Sequence, residues 1–155
     1  MKVLLVISAL GKDRAGLLKE LAQALMECGC TIADSRMTVL GSEFAAVLMI
    51  TGNWSAIAKV EGGLSALQER LGLTISARRT EARATETPLL PYIAEIVTVD
   101  RPGIIYRMAD FFTARTINIE DLYTSGYTSA HSATPMFALN MTVNIPASVH
   151  IAALR

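Results

Sequence analysis

The sequence predicts an α+β protein made of two tandem βαββαβ modules, the second incomplete at its C-terminus. Three observations carry that reading. A short motif near the N-terminus recurs at a constant offset, strand-like and helix-like apolar periods follow it in the same order both times, and a polar, proline-bearing stretch separates the two series.

The motif is Lys12-Asp13-Arg14-Ala15-Gly16-Leu17-Leu18, which returns as Val99-Asp100-Arg101-Pro102-Gly103-Ile104-Ile105, so Asp13 and Asp100 set the offset at 87 residues. The alignment continues without a gap: Leu21, Ala22 and Leu25 meet Met108, Ala109 and Phe112, Ile32 meets Ile119, and Asp34 meets Asp121. One offset shared by a loop, a helix and a strand marks a repeated unit.

The first module occupies residues 1–80. Met1 to Leu10 has the charge and apolar run of a signal peptide, but it is short, rich in β-branched residues, and followed by Lys12, Asp13 and Arg14 where a small-residue cleavage site would belong. It is read as a buried first strand over Val3 to Leu10, with a loop over Gly11 to Arg14. A helix follows from Ala15 to about Cys28, because Leu18, Leu21, Ala22 and Leu25 recur at helical spacing, and Gly29 ends it. Thr31 to Leu40 and Phe44 to Thr51 read as strands around a Gly41-Ser42-Glu43 hairpin turn. Asn53 or Ser55 caps the next helix, whose apolar stripe is Ile57, Val60, Leu64, Leu67 and Leu71. Gly62-Gly63 in its middle weakens it by about 1 kcal/mol per glycine. Gly72 closes that helix, and Leu73 to Thr80 supplies the fourth strand.

Residues 81–91, with Thr85, Thr87, Pro88 and Pro91, have the composition of a linker. The second module, 92–155, then offers a strand from Tyr92 to Val99, a helix from Gly103 to Ala114, and strands over Ile117 to Thr124 and Met136 to Val143. Its hairpin, Ser125 to Pro135, is longer: Pro146-Ala147 matches Trp54-Ser55 at an offset of 92, which places five added residues in it. Helix formation restarts at Ala147 and the sequence ends at Arg155, so roughly 20 to 25 residues of helix and strand are wanting by comparison with the first module.

Composition narrows the function. Fourteen basic residues balance fourteen acidic ones, which removes any bulk electrostatic drive toward a phosphate backbone or an anionic membrane. No apolar stretch approaches the roughly 20 residues that span a bilayer. Cys28 and Cys30 are too close for an ordinary disulfide and too few to enclose a metal, the pattern of cytoplasmic thiols. An enzyme requires a nucleophile with its base, a phosphate loop or a cofactor fingerprint. None is present, and His131 and His150 have no evident catalytic or metal-binding company. No cofactor is therefore expected.

The repeated loop is the candidate site. Asp13 and Asp100 can cap the following helix, Gly16 and Gly103 permit close approach, and Leu17 and Ile104 can plug the core. The positive end of the helix dipole makes the same place suited to a small carboxylate, although capping alone would also account for the Asp and Gly. The third strand adds a second expectation. Phe44-Ala45-Ala46-Val47-Leu48-Met49-Ile50 is apolar at odd and even positions alike, which predicts burial of both faces, association through the sheets, and at least a dimer.

A βαββαβ unit with an Asp-Arg-x-Gly-aliphatic turn resembles the ACT domain, a ferredoxin-like module that commonly binds amino acids. The resemblance covers nearly the whole chain. Two such units with little else resemble the glycine cleavage system transcriptional repressor family, and the run Thr116-Ile117-Asn118-Ile119-Glu120-Asp121-Leu122 strengthens the match. The resemblance implies a ligand Asn at the start of the second strand. Asn118 holds that place in the second module and Thr31 in the first. It also implies a cytoplasmic sensor of glycine or serine that acts through a DNA-binding activator protein, without touching DNA itself. The site it implies rests chiefly on Asp100, Arg101, Pro102, Gly103 and Asn118, with Asp13, Arg14, Ala15 and Gly16 as the counterpart. Similar domains also precede formyltetrahydrofolate hydrolase and phosphoserine phosphatase catalytic domains, so the regulatory part of an enzyme and a ligand-free assembly module are the alternatives.

Overall fold

The computed structural model describes residues 2–82, 89–130 and 133–146, and the chain divides into two units, Met1–Arg83 and Ala84–Arg155. His131, His150 and the helix restart at Ala147 lie outside the described residues.

In the first unit, β1 (Val3–Lys12), α1 (Leu17–Glu27), β2 (Thr31–Leu40), β3 (Glu43–Gly52), α2 (Trp54–Leu71) and β4 (Leu73–Thr80) follow one another. The strands form an antiparallel sheet in the order β2-β3-β1-β4. This is the expected βαββαβ architecture. Leu5, Ile7 and Ala9 of β1 and Phe44, Ala46, Leu48 and Ile50 of β3 point inward at period two and meet Leu17, Leu21 and Leu25 of α1 and Ile57 and Val60 of α2. The α1 stripe thus begins at Leu17. Leu18, expected within it, is 42% exposed, because a strict four-residue step from Leu25 leads through Leu21 to Leu17. Asn53 caps α2, its side chain accepting the Ala56 N–H at 2.8 Å, and Gly72 closes it in the left-handed conformation.

The expectation of burial on both faces of the third strand is not met within this unit. Phe44, Ala46, Leu48 and Ile50 are buried, whereas Val47 is 49% exposed and Ala45 and Met49 are half-buried. Both helices pack on one side of the sheet, so its other side keeps an apolar but open surface.

The second unit comprises β5 (Leu89–Val99), α3 (Ile104–Thr113), β6 (Asn118–Thr128) and β7 (Pro135–Pro146), with sheet order β5-β7-β6. Its core gathers Phe112, Ile117, Leu139, Met141, Val143 and Ile145. All three strands exceed their expected lengths. The added hairpin residues lengthen the β6–β7 ladder to Thr128↔Pro135, leaving only residues 129–134 as the connection. The repeat is visible in the backbone too. β2 carries a register shift between Ile32 and Asp34, and β6 carries one between Ile119 and Asp121, the same offset of 87 residues.

Candidate functional site

Each Asp-Arg-x-Gly loop leaves the end of its module's first strand and enters a helix. The Asp13 N–H donates to the Ser42 carbonyl at 2.9 Å and the Asp100 N–H to the Pro135 carbonyl at 3.0 Å, which fastens both loops to the tip of the adjacent hairpin. That tether corrects the role expected of the two aspartates. The N-cap residues are Gly16 and Gly103, at φ 89° and 82°, and neither helix has a side-chain cap. The aspartates sit three residues earlier, held at the strand end, and do not cap the first turn.

Both helices therefore start on backbone N–H groups that no side chain caps. A left-handed glycine followed by right-handed helical residues turns successive N–H groups toward one concavity, and the helix dipole adds partial positive charge there. Residues 12–16 and 99–103 are exposed. In the second loop Pro102 contributes no N–H where Ala15 does in the first.

The two loops share a backbone and differ in charge. In the first, the Arg14 guanidinium lies 2.7 Å from the Glu20 carboxylate, one turn into α1. At an offset of 87 residues Glu20 becomes Arg107, whose Nη2 donates to the Pro102 carbonyl at 3.0 Å. Arg101 has no carboxylate partner among the described residues. The second loop therefore gathers Asp100, Arg101 and Arg107, while the first gathers Lys12, Asp13, Arg14 and Glu20 and balances itself. Arg107 escaped the reading of the motif because it lies outside it. The repeat offset, continued one turn into the helix, was the signal that could have found it.

Asn118 does not join this cluster within its own unit. It is the first residue of β6 and pairs with Asn144, and its amide donates to Glu120 Oε1 at 3.1 Å. The loop lies beside the last residue of the same strand, because Pro135, which accepts the Asp100 N–H, pairs with Thr128. Ten residue steps along the strand separate them, about 33 Å at the usual rise. Thr31 is related to the first loop in the same way, opening β2 opposite Thr51 while Asp13 meets the hairpin at Ser42.

Among the described residues no group of three or more His, Cys, Asp or Glu could hold a metal ion, and no helix is long and apolar enough to cross a membrane. Cys30 is buried and Cys28 half-buried. Burial, with Cys28 nearby, pushes the Cys30 thiol above its ordinary range.

Comparison with known proteins places this geometry. The ACT domain family model matches residues 3–78. Over 148 residues the chain is 32% identical to the glycine cleavage system transcriptional repressor of Escherichia coli (strain K12), covering 96% of this chain and 78% of that protein, and the Shigella flexneri repressor matches equally. A crystal structure described as that of a candidate glycine cleavage system transcriptional repressor superposes with a TM-score of 0.71 at 27% identity, over 99% of this chain and 87% of that one. An unknown protein from Galdieria sulphuraria shares the fold, with a TM-score of 0.76 at 24% identity over 94% of this chain and 84% of that one. The chain belongs to the glycine cleavage system transcriptional repressor family, built from tandem ACT modules.

Proposed function

We propose that this chain is a non-catalytic, amino-acid-responsive repressor, working in the cytoplasm as a homo-oligomer and acting on transcription through a DNA-binding partner protein. Membership of a repressor family supports regulation, and the balanced charge supports the indirect route. The observation that carries ligand sensing is the contrast between the loops. The uncapped helix start at Gly103 is flanked by Arg101 and Arg107 with no neutralising glutamate, so a free carboxylate can supply the missing charge, and Asp100 is at hand for an ammonium group. Glycine or serine fits that chemistry. Because Asn118 lies at the far end of its own module, its amide reaches the loop ligand only from a second copy, which makes the site a property of the oligomer.

Isothermal titration with glycine and serine tests the reading. Asn118→Ala is expected to cost about 1 to 3 kcal/mol of binding by leaving polar atoms of the complex unpaired, and Thr31→Ala less. Arg107→Glu, which gives the second loop the self-neutralising partner of the first, should weaken binding further. Equal losses for Asn118→Ala and Thr31→Ala, or loss in the latter alone, would put the site in the first module. Absence of heat with both amino acids would make the chain an assembly module.

A further inference from the structure

The helix-side surface of the first unit carries a feature that ligand sensing does not use. Between the C-terminal half of α1 and α2 runs an open groove of about 300 Å³, floored by Leu25, Val60 and Leu67. Gly63 lines it too, and a Cβ built at Gly63 meets nothing within 4 Å. A mid-helix glycine costs about 1 kcal/mol against alanine, and no internal packing requires one at this position. Its smallness leaves the floor of the groove open to something approaching from outside.

The rim says what that is. Lys59 and Arg70 line the groove on the α2 side, with no ion-pair partner among the described residues, and Glu27 lines it on the α1 side, holding only the Gln23 amide at 3.1 Å. Lys59 and Arg70 are eleven residues apart on one helix, about 16 Å along its axis, a span that one amino acid cannot bridge. The hollow between them admits a few aliphatic side chains. We infer that this groove is the docking surface for an amphipathic helix of a partner protein, laid across Gly63 with its apolar face down, acidic residues along the edge facing α2 and a basic residue opposite Glu27. The inference rests on the reading that the chain acts through a protein partner. It is independent of whether the Gly103 loop binds an amino acid.

The probe is a fluorescein-labelled synthetic helix of four turns, with leucine and alanine on one face, glutamates along one flank and a lysine on the other, titrated with the full chain and read by fluorescence anisotropy. Saturable binding is expected. Gly63→Leu, which fills the groove while raising helix propensity, should weaken it about tenfold, with far-UV circular dichroism unchanged. Arg70→Glu should weaken it similarly, and a peptide carrying lysine in place of its glutamates should recover that loss. Asn118→Ala should leave peptide binding intact, which separates failure of the groove from failure of the amino-acid site. No saturable binding, equal binding by wild type and Gly63→Leu, or no recovery by the charge-swapped peptide would overturn the inference. So would a change in sedimentation of Gly63→Leu alone, because the groove would then be a contact between copies of this chain.

Discussion

Thr116 holds a backbone conformation that its side chain disfavours, φ 56°, at the position where the first module has Gly29 at φ 89°. A β-branched residue in the left-handed region crowds its own carbonyl, at a cost of about 1–2 kcal/mol. Thr116→Asn keeps a polar side chain and tolerates that conformation, so it should stabilise the second unit by about 1 kcal/mol in urea unfolding. Gly103→Ala should do the reverse. At φ 82° the added Cβ meets no neighbour, so the expected loss of about 1–2 kcal/mol is conformational and not steric. No change in the midpoint for Gly103→Ala would mean that the loop relaxes out of the left-handed turn on which the candidate site depends.

At the scale of elements, α2 combines the least helix-favouring pair in the fold with an organised N-terminal cluster. Gly62→Ala should raise stability by about 0.5–1 kcal/mol, since the new methyl group enters open space on an exposed helix face. At the helix start, the Arg79 guanidinium lies 4.1 Å from the Trp54 ring centroid and pairs with Glu61 at 2.7 Å, tying α2 to β4. The hydrogen bond from Arg79 holds the Glu61 carboxyl below its ordinary range. A carboxylate lowered on folding adds stability above its unfolded pKa, and that contribution is lost as pH falls through the lower folded value. Trp54 is the sole tryptophan, so its fluorescence should report release of Arg79 as an acid-side step below the usual glutamate range. Glu61→Gln should remove that step, and its persistence would assign it to another group. The elements themselves were largely legible. Asn53, Gly29 and Gly72 mark helix ends because caps and left-handed turns are local chemistry, and the bulge at Asp34 recurs at Asp121 because the repeat preserves register. The aspartates of the two loops were misread as caps for the opposite reason. Their backbone partners, Ser42 and Pro135, lie 29 and 35 residues downstream, and a tether of that kind leaves no local trace. Within one chain β3 keeps its second face open, because periodicity reports how apolar each face is, and not what covers it.

At the scale of the whole molecule, the proposed amino-acid site would be divided between the two ends of a strand. In a single unit the Gly103 loop and Asn118 are about 33 Å apart, and no rotamer closes that distance. Under the proposed function, a twofold axis relating two copies would bring one copy's loop to the other copy's Asn118 and repeat the arrangement at the second site, as an isologous contact must. Ligand binding would then favour association, and association would raise affinity by the same factor, so the amino acid and the oligomer regulate each other. The division yields a test that a site within one chain could not pass. Asn118→Ala chains and Arg101→Ala chains should each bind glycine poorly. When the two are mixed and allowed to re-equilibrate, random pairing makes half of the dimers hybrid, and each hybrid carries one site with both residues intact, so about a quarter of the sites should recover. Calorimetric titration of the mixture reads that fraction directly as stoichiometry. A mixture that binds no better than its components would show that Asn118 and the loop never meet across copies, and the ligand would then have to be held by the loop alone.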